Sequence, residues 1–229
     1  MPEQPMIKHV SFDLWMTLIR PNPDFRIKRA EFIVEKLQPQ NKNTEDIIQL
    51  IVEEDKKFDR HNETEGTKIP AMKMYSTVLE KMNIESSNSV SYNAEYLMNK
   101  SNELFLEYPP AFLNQQIPHI LKTLKDSGLT LSIGSNTGYV EGEVLRILLQ
   151  KMNILQYFSF LVFSDEVKTS KPSGEFYRHV WKNTTLDKSQ ILHVGDNQVS
   201  DYQGAVDFGF KALLITDANY TINDIRAKL

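Results

Sequence analysis

The chain has 229 residues, of which 41% are hydrophobic and 24% are charged, and these proportions are ordinary for a soluble globular protein. Its 26 basic and 30 acidic side chains give a net charge of -4, which argues against a nucleic-acid partner because such binding needs a basic face. No apolar run approaches the roughly 18 residues that a membrane-spanning helix needs, so no membrane partner is expected.

The first predicted element is a short buried strand. Ile7, Val10 and Phe12 are apolar, and β-branched or aromatic side chains favour a strand. Asp13 follows the strand directly. Residues 20–25 (RPNPDF) then interrupt the pattern, because each proline fixes φ and removes a backbone donor.

The next part of the chain, from about residue 23 to residue 108, is rich in polar residues and methionine, with apolar residues at three- and four-residue spacing. That spacing predicts four helices with no strand between them. Asn43 or Thr44 can cap the second helix, and the polar run at residues 86–93 separates the third helix from the fourth. Two prolines at residues 109–110 close this helical block.

Beyond the helical block, predicted helices and strands alternate, which implies a parallel sheet with helices on both faces. The helices are predicted at residues 117–125, 140–152, 173–183 and 199–208. Gly128 is predicted to end the first of these helices. The strands are predicted at residues 129–134, 158–163, 191–195 and 211–215. The predicted fold class is therefore α/β, with a core formed by residues 1–20 and 111–229 and an all-helical insertion at residues 21–110.

Polar residues stand where three of the predicted strands end, far apart in the sequence. Asp13 follows the first strand, Ser135-Asn136 end the strand after the insertion, and Asp196 follows a late strand. Each of these is by itself a common turn residue, but the carboxyl ends of parallel strands form one ligand crevice. Lys171, in a loop after another strand, can join them there. The sequence therefore predicts one site.

The chemistry that suits this set of residues is phosphoryl transfer through a carboxylate. Asp13 and Asp196 can hold Mg²⁺ through oxygen ligands beside a substrate phosphate. Lys171 can neutralise charge on the phosphoryl oxygens, and the Ser135 hydroxyl can donate a hydrogen bond to one of them. Asp201 can order a water at the metal or pair with Lys171.

These residues resemble the four motifs of the haloacid dehalogenase superfamily, in the order that the family has them. Residues 12–18 (FDLWMTL) look like the first motif, in which a nucleophilic Asp begins the pattern DxDxT, and Ser135-Asn136 match the second. Lys171-Pro172 with Phe176 match the third motif, and residues 195–201 (GDNQVSD) match the fourth. The helical block lies where the family inserts a helical, C1-type cap domain.

The resemblance implies a Rossmann-like core with a cap at residues 21–110 and a nucleophile at Asp13. It also implies Mg²⁺ as the cofactor and a small phosphorylated molecule as the substrate. The implied catalytic residues are Asp13, Ser135 and Lys171, and the implied substrate-binding residues are Ser135, Asn136 and Lys171. The implied metal ligands are Asp13, Asp196 and the backbone carbonyl of Trp15. Asp201 is implied to contact these groups without binding the substrate or the metal itself.

Trp15 departs from the family pattern, because phosphatases of the family usually carry an Asp there as general acid and base. The indole N–H has no acid or base role near neutral pH, and such catalysis is worth about 10²–10⁴-fold in rate. Metal binding through a backbone carbonyl should survive, whereas esters with poor leaving groups should react slowly. Met16, where glycine is usual, is a second departure that can alter the bend after Asp13.

Three functions remain open from the sequence. The first is a Mg²⁺-dependent phosphohydrolase that works through an aspartyl phosphate. The second is a 2-haloacid dehalogenase, which also lacks the second Asp but needs no metal, whereas Asp196 and Asp201 look like a retained metal site. The third is a catalytically weak protein that binds a phosphorylated ligand. The substrate, the cap residues that select it and the oligomeric state are not identified.

The absence of cysteine excludes disulfides and thiolate metal sites. Together with a start (MPEQPMIKHV) that is unlike a signal peptide, it leads us to expect a cytoplasmic protein. The scattered histidines show no paired ligand spacing and are assigned no metal role; they are His61, His119, His179 and His193.

Overall fold

The computed structural model describes residues 6–39, 41–83 and 93–229. Seven strands are present in these residues: β1 His9–Phe12, β2 Ile19–Arg20, β3 Ala111–Phe112, β4 Thr130–Ser135, β5 Phe160–Phe163, β6 Ile191–Gly195 and β7 Lys211–Leu214. Five of them form a parallel sheet in the order β5-β4-β1-β6-β7. The other two, β2 and β3, pair antiparallel at the two links between the core and the helical block.

The helical block contains four helices in its described residues, as the apolar spacing predicts: α1 Pro23–Leu37, α2 Thr44–Glu65, α3 Ala71–Lys81 and α4 Ala94–Glu107. Asn43 caps α2, because its side chain accepts a hydrogen bond from the backbone N–H of Asp46 at 3.0 Å. Within the polar run predicted to separate α3 from α4, residues 86–92 lie outside the described residues. The first residues of the chain, 1–5, lie outside them as well.

The helical block has an apolar core of its own, formed by side chains from all four of its helices together with Tyr139. A separate core supports the predicted division of the chain at residues 21 and 110, which stays a prediction. No helix in the described ranges is both long and apolar enough to cross a bilayer.

Six helices accompany the sheet: α5 Ile117–Asp126, α6 Gly142–Lys151, α7 Ser164–Val167, α8 Gly174–Lys182, α9 Gly204–Phe208 and α10 Ile222–Arg226. Side chains of α5, α6 and α10 share one apolar cluster with the strands, and side chains of α8 and α9 share another. Helices on both faces of a parallel sheet confirm the predicted α/β class.

One helix was predicted incorrectly. Residues 199–208 were expected to be one α-helix, but residues Gln198–Gln203 are π-helical and only α9 is α-helical. The backbone N–H of Tyr202 donates to the carbonyl of Asn197 at 3.1 Å, which is the wider spacing of a π turn. The short elements β2, β3, α7 and α10 were not predicted, because they span too few residues to show a period.

The register of the sheet aligns the carboxyl ends of β1, β4 and β6, where the predicted site residues stand. Phe12 of β1 lies opposite Ile133 of β4 on one side and Val194 of β6 on the other. The backbone N–H of Asp13 donates to the carbonyl of Val194 at 2.8 Å, so Asp13 leaves the sheet where these neighbours also end. The residues that end β4 and follow β6 therefore flank Asp13.

Candidate active site

Asp13 lies at the centre of the site, buried directly after β1. Its Oδ1 accepts hydrogen bonds from the Ser135 hydroxyl at 2.9 Å and from Nζ of Lys171 at 2.7 Å. Its Oδ2 accepts one from the Thr17 hydroxyl at 3.3 Å. Burial raises the pKa of Asp13, while the charge of Lys171 acts in the opposite direction. Three donors thus orient a carboxylate that can act as a nucleophile.

Lys171 joins two carboxylates. Its Nζ lies 2.7 Å from Asp13 and 2.5 Å from Oδ1 of Asp201, and its side chain is only 1% exposed. Burial acts to lower the pKa of Lys171, but the two carboxylates outweigh burial and raise it. Burial likewise acts to raise the pKa of Asp201, yet Lys171 and His193 hold it below its usual range. Lys171 is therefore positively charged at neutral pH.

The side chain of Asn136 holds the backbone of Lys171. Its Oδ1 accepts a hydrogen bond from the Lys171 N–H at 2.8 Å, and its Nδ2 donates one to the Lys171 carbonyl at 3.1 Å. Both ends of the amide are engaged, which gives Asn136 a positioning role. Its predicted contact with substrate stays a prediction.

Carboxylate oxygens of Asp13, Asp196 and Asp201 lie within 4.8 Å of one another. Both oxygens of Asp201 already accept hydrogen bonds, from Lys171 and from the backbone N–H of Asn197. Both oxygens of Asp13 accept hydrogen bonds as well, so these bonds do not single out the ligands. Asp13 and Asp196 stay the predicted pair for a cation. Partial burial and the nearby Asp201 raise the pKa of Asp196, which indicates a surplus of negative charge. Such oxygen donors fit a divalent ion such as Mg²⁺.

Close packing brings Asp201 beneath Lys171. A Cβ on Gly195 would lie 2.3 Å from Cγ of Asp201, so only glycine leaves room at that position. The Tyr177 hydroxyl donates to the Ser200 carbonyl at 2.5 Å and fixes the π-helical segment that carries Asp201. The glycine of the fourth motif is thus required by the carboxylate that ends it.

The turn after Asp13 is formed by Trp15 and Met16. Met16 has a left-handed backbone with a φ of 55°, and its N–H donates to the Ile19 carbonyl at 2.7 Å. Glycine adopts this conformation without strain, so a methionine there raises the energy of the turn. The Trp15 indole packs edge-on against Phe105 with ring centroids 6.2 Å apart. Its side chain thus lines the site with an apolar ring, while the predicted metal contact of its carbonyl stays a prediction.

A cavity of about 490 Å³ lies between the ends of the strands and the helical block. On the side of the core it is lined by Asp13, Lys171 and Asp196. On the side of the helical block its polar lining includes Arg26, Arg29, Asp55, Asp59 and Glu63. The cavity therefore joins residues from all four motifs to side chains of α1 and α2.

Two sets of residues at this site escaped prediction. Asp55, Asp59 and Glu63 recur every four residues, and that spacing on one face of α2 was the available signal. Burial together with its two neighbours raises the pKa of Asp59 to about 7. His193 is buried in β6, and its Nε2 lies 3.3 Å from Oδ1 of Asp201. The sequence did not indicate this contact, because a lone histidine in an apolar strand has no motif around it.

The sequence of this chain is similar to those of several known proteins. Haloacid dehalogenase-like hydrolase domain-containing protein 3 of Danio rerio is 27% identical over 104 residues, which cover 43% of this chain and 43% of that protein. (S)-2-haloacid dehalogenase 2 of Pseudomonas sp. (strain CBS-3) is 27% identical over 111 residues, 48% of this chain and 47% of that protein. Phospholysine phosphohistidine inorganic pyrophosphate phosphatase of Danio rerio is 29% identical over 96 residues, 41% of this chain and 34% of that protein. The chain thus spans less than half the length of each of these relatives.

Solved structures share the fold. A HAD phosphatase from Thermococcus onnurineus superposes with a TM-score of 0.67 at 17% identity and covers 97% of both chains. A 2-haloacid dehalogenase from Pseudomonas syringae pv. Tomato DC3000 superposes with a TM-score of 0.65 at 20% identity and covers 94% of this chain and 89% of that one. The core is therefore the Rossmann-like fold of these proteins. A model of the haloacid dehalogenase-like hydrolases matches residues 10–215, and the chain belongs to that family.

Proposed function

We propose that the chain is a phosphohydrolase that acts on a small phosphorylated metabolite through an aspartyl phosphate on Asp13. One observation carries the proposal: Asp13 accepts hydrogen bonds from Lys171 and Ser135, and its carboxylate lies within 4.8 Å of that of Asp196. Phosphoryl transfer needs an oriented nucleophile and positive charge around the phosphoryl oxygens. These residues can supply both once a divalent cation is bound.

Mg²⁺ would be held by Asp13, Asp196 and, as the family resemblance implies, the carbonyl of Trp15. When bound, it would offset the repulsion between the carboxylate of Asp13 and an anionic phosphate. The acidic cluster would otherwise repel the substrate, since Lys171 is already shared between Asp13 and Asp201. The dependence on Mg²⁺ is thus part of the proposal.

The chain's own residues have these roles. The Asp13 carboxylate forms a bond to phosphorus while the bond from phosphorus to the ester oxygen breaks. Nζ of Lys171 and the hydroxyl of Ser135 stabilise the charge on the phosphoryl oxygens. A water molecule then attacks phosphorus, which releases inorganic phosphate and frees Asp13. Asn136 and Asp201 keep Lys171 in position during both steps.

The helical block, residues 21–110, is proposed to act as a C1-type cap over the site. Its separate apolar core and its side chains in the cavity support this role. A cavity of about 490 Å³ is of the size that small metabolites fill, which supports a small molecule as the partner.

The test is a panel of phosphorylated metabolites assayed with Mg²⁺ for the wild type, Asp13→Asn and Trp15→Asp. We expect Asp13→Asn to abolish release of phosphate, because the amide is a poor nucleophile of nearly the same shape. Trp15→Asp should raise turnover on simple esters. Circular dichroism checks that both variants are folded, and wild-type turnover in a folded Asp13→Asn protein would reject the proposal.

A catalytically weak binding protein is tested by trapping. Incubation with Mg²⁺ and acetyl phosphate should add one phosphoryl group to Asp13, detected by mass spectrometry of the intact protein and its peptides. A protein that binds Mg²⁺ but shows neither this adduct nor turnover would favour the binding role.

A second candidate is hydrolysis of 2-haloacids. The apolar ring of Trp15, packed on Phe105 at the cavity, favours it, because this reaction at carbon needs no carboxyl at that position. The similarity to the Pseudomonas (S)-2-haloacid dehalogenase 2 supports it as well. Release of chloride from 2-chloropropionate in the presence of EDTA would establish this activity, and we expect none.

A further inference from the structure

The proposed reaction needs a group that protonates the leaving oxygen, and Trp15 cannot do this. The ionisable side chains around the cavity are the place to look for a replacement. Arg26 and Arg29 offer guanidinium groups, which donate hydrogen bonds and are not general acids or bases. Burial raises the pKa of Tyr139 far above its ordinary value, and a hydrogen bond with Glu107 raises the pKa of Tyr108. Neither tyrosine is therefore suited to be the acid or the base at neutral pH. The carboxylates remain.

Three carboxylates of the core already have proposed roles other than proton transfer. Asp13 is the proposed nucleophile, Asp196 the proposed metal ligand, and Asp201 the partner of Lys171. The remaining carboxyl groups that line the cavity, within the described residues, are Asp55, Asp59 and Glu63 of α2.

Among these three α2 acids, Glu63 is the one with a hydrogen bond to the core in the described part of the chain. Its Oε1 accepts from Nδ2 of Asn197 at 3.4 Å, and Asn197 directly follows Asp196. The Oδ1 of Asn197 is itself fixed, because it accepts from the backbone N–H groups of Val199 and Ser200 at 2.8 and 2.9 Å. Glu63 is therefore tied to the rim of the site by a rigid partner.

The end of α2 is also fastened to the loop that carries Lys171. The carbonyl of Gly66 accepts a hydrogen bond from the backbone N–H of Ser170 at 3.0 Å and one from the Thr169 hydroxyl at 2.9 Å. Glu63 lies one helical turn before Gly66. Glu63 and Asp13 line the same cavity.

We propose that Glu63 is the general acid and base of the reaction, in place of the carboxyl that is missing at Trp15. This inference rests on the proposed phosphohydrolase function. The proton of the Glu63 carboxyl moves to the ester oxygen as its bond to phosphorus breaks and the bond from Asp13 to phosphorus forms. The Glu63 carboxylate then accepts a proton from water as the water oxygen attacks phosphorus and Asp13 leaves.

The electrostatics around Glu63 agree with this role. Burial and the charge of Asp201 raise its pKa, and the charge of Lys171 opposes them. On the same helix, burial and the charges of Asp55 and Glu63 raise the pKa of Asp59 to about 7. A raised pKa favours the protonated form of a carboxyl, which is the form that a general acid needs.

The test compares two substrates that differ in their need for a proton. The leaving group of acetyl phosphate needs none, whereas the alkoxide of ethyl phosphate must be protonated. The readout is the rate of the first step, phosphorylation of Asp13 in a single turnover, because hydrolysis of the aspartyl phosphate is common to both substrates. Glu63→Gln should reduce that rate about 100-fold with ethyl phosphate and leave it nearly unchanged with acetyl phosphate. Glu65→Gln, an exposed neighbour on α2, is the matched control and should leave both rates unchanged.

A second variant separates chemistry from structure. Adding Trp15→Asp to Glu63→Gln should restore turnover of ethyl phosphate, because a carboxyl then stands at the family's usual position. With ethyl phosphate, the rate of the wild type should fall as the pH rises and the general acid loses its proton. This fall should be missing in Glu63→Gln. An equal loss in the rate of Asp13 phosphorylation from both substrates, or no loss from either, would overturn the role of Glu63. If the wild type hydrolyses neither substrate, the proposed function itself fails and this inference with it.

Discussion

Nζ of Lys171 lies 2.7 Å from Oδ1 of Asp13, and their side chains are only 1% and 9% exposed. Each of these charges is desolvated, so each depends on the other for its stability. Asp201 adds a second carboxylate at 2.5 Å from the same nitrogen. Lys171 is therefore the counter-ion of two buried acids as well as the group proposed to stabilise phosphoryl oxygens.

Replacing Lys171 with methionine should lower the free energy of unfolding by about 3 kcal/mol or more, because two buried carboxylates lose their shared cation. Urea denaturation at pH 7 measures the change. Lys151→Met, at an exposed lysine, is the control and should alter stability by no more than about 0.5 kcal/mol. Equal stabilities for the two variants would show that the buried acids do not depend on Lys171.

Gly195→Ala should displace Asp201, since the new Cβ would lie 2.3 Å from its Cγ. We expect a loss of stability of about 1–3 kcal/mol from overpacking, together with loss of phosphatase turnover as Lys171 shifts. Gly138→Ala is a matched control, because its Cβ would meet its nearest neighbour, Oδ1 of Asp55, at 3.5 Å. Chemical denaturation and the phosphatase assay check both variants. A Gly195→Ala protein as stable as Gly138→Ala would contradict the close packing.

The fold was accessible from the sequence because its signals are local. Each predicted strand of the sheet is an apolar run bounded by turn residues, and each helix of the helical block shows its period over at least three turns. Asn43 and Gly128, two predicted helix-end residues, lie at the ends of α2 and α5 as expected. Local chemistry alone determines these features.

The finer structure of the site was not accessible, because it depends on contacts between distant residues. The hydrogen bond between Glu63 and Asn197 joins residues 134 positions apart, and neither residue carries a signal for the other. The bonds from Asn136 to the Lys171 backbone span 35 positions. The π turn before α9 carries Asp201, which accepts a hydrogen bond from Lys171 30 positions away, and the apolar spacing of the segment does not predict it.

Met16→Gly should raise the free energy of unfolding by about 0.5–1 kcal/mol, because glycine adopts the left-handed φ of 55° without strain. Met16 is 47% exposed, so little apolar burial is lost. The same substitution at Met72, which is 39% exposed in α3, should have the opposite sign and cost about 0.5 kcal/mol. Urea midpoints compare the two variants, and a shift of equal sign in both would count against backbone strain at Met16.

His9 gives the chain a pH-dependent stability that does not involve the active site. It is buried in β1 with its ring nitrogens 2.7 Å from the Thr130 hydroxyl and 2.8 Å from the Ser132 hydroxyl, and its ring stacks on Phe160. Burial lowers the pKa of His9 from 6.5 to about 4. Between these values the unfolded chain binds a proton that the folded chain does not bind, so stability falls as the pH falls.

The expected loss from His9 is about 3 kcal/mol between pH 7 and pH 4. Carboxylates also titrate in this range, so the informative quantity is the difference between wild type and His9→Gln in urea denaturation at each pH. Lost hydrogen bonds should make His9→Gln less stable at pH 7, and the gap should narrow or reverse toward pH 4, because glutamine takes up no proton. His119→Gln, at an exposed histidine, should follow the wild type throughout. A constant gap for His9→Gln would mean that the folded protein protonates His9 as readily as the unfolded chain does.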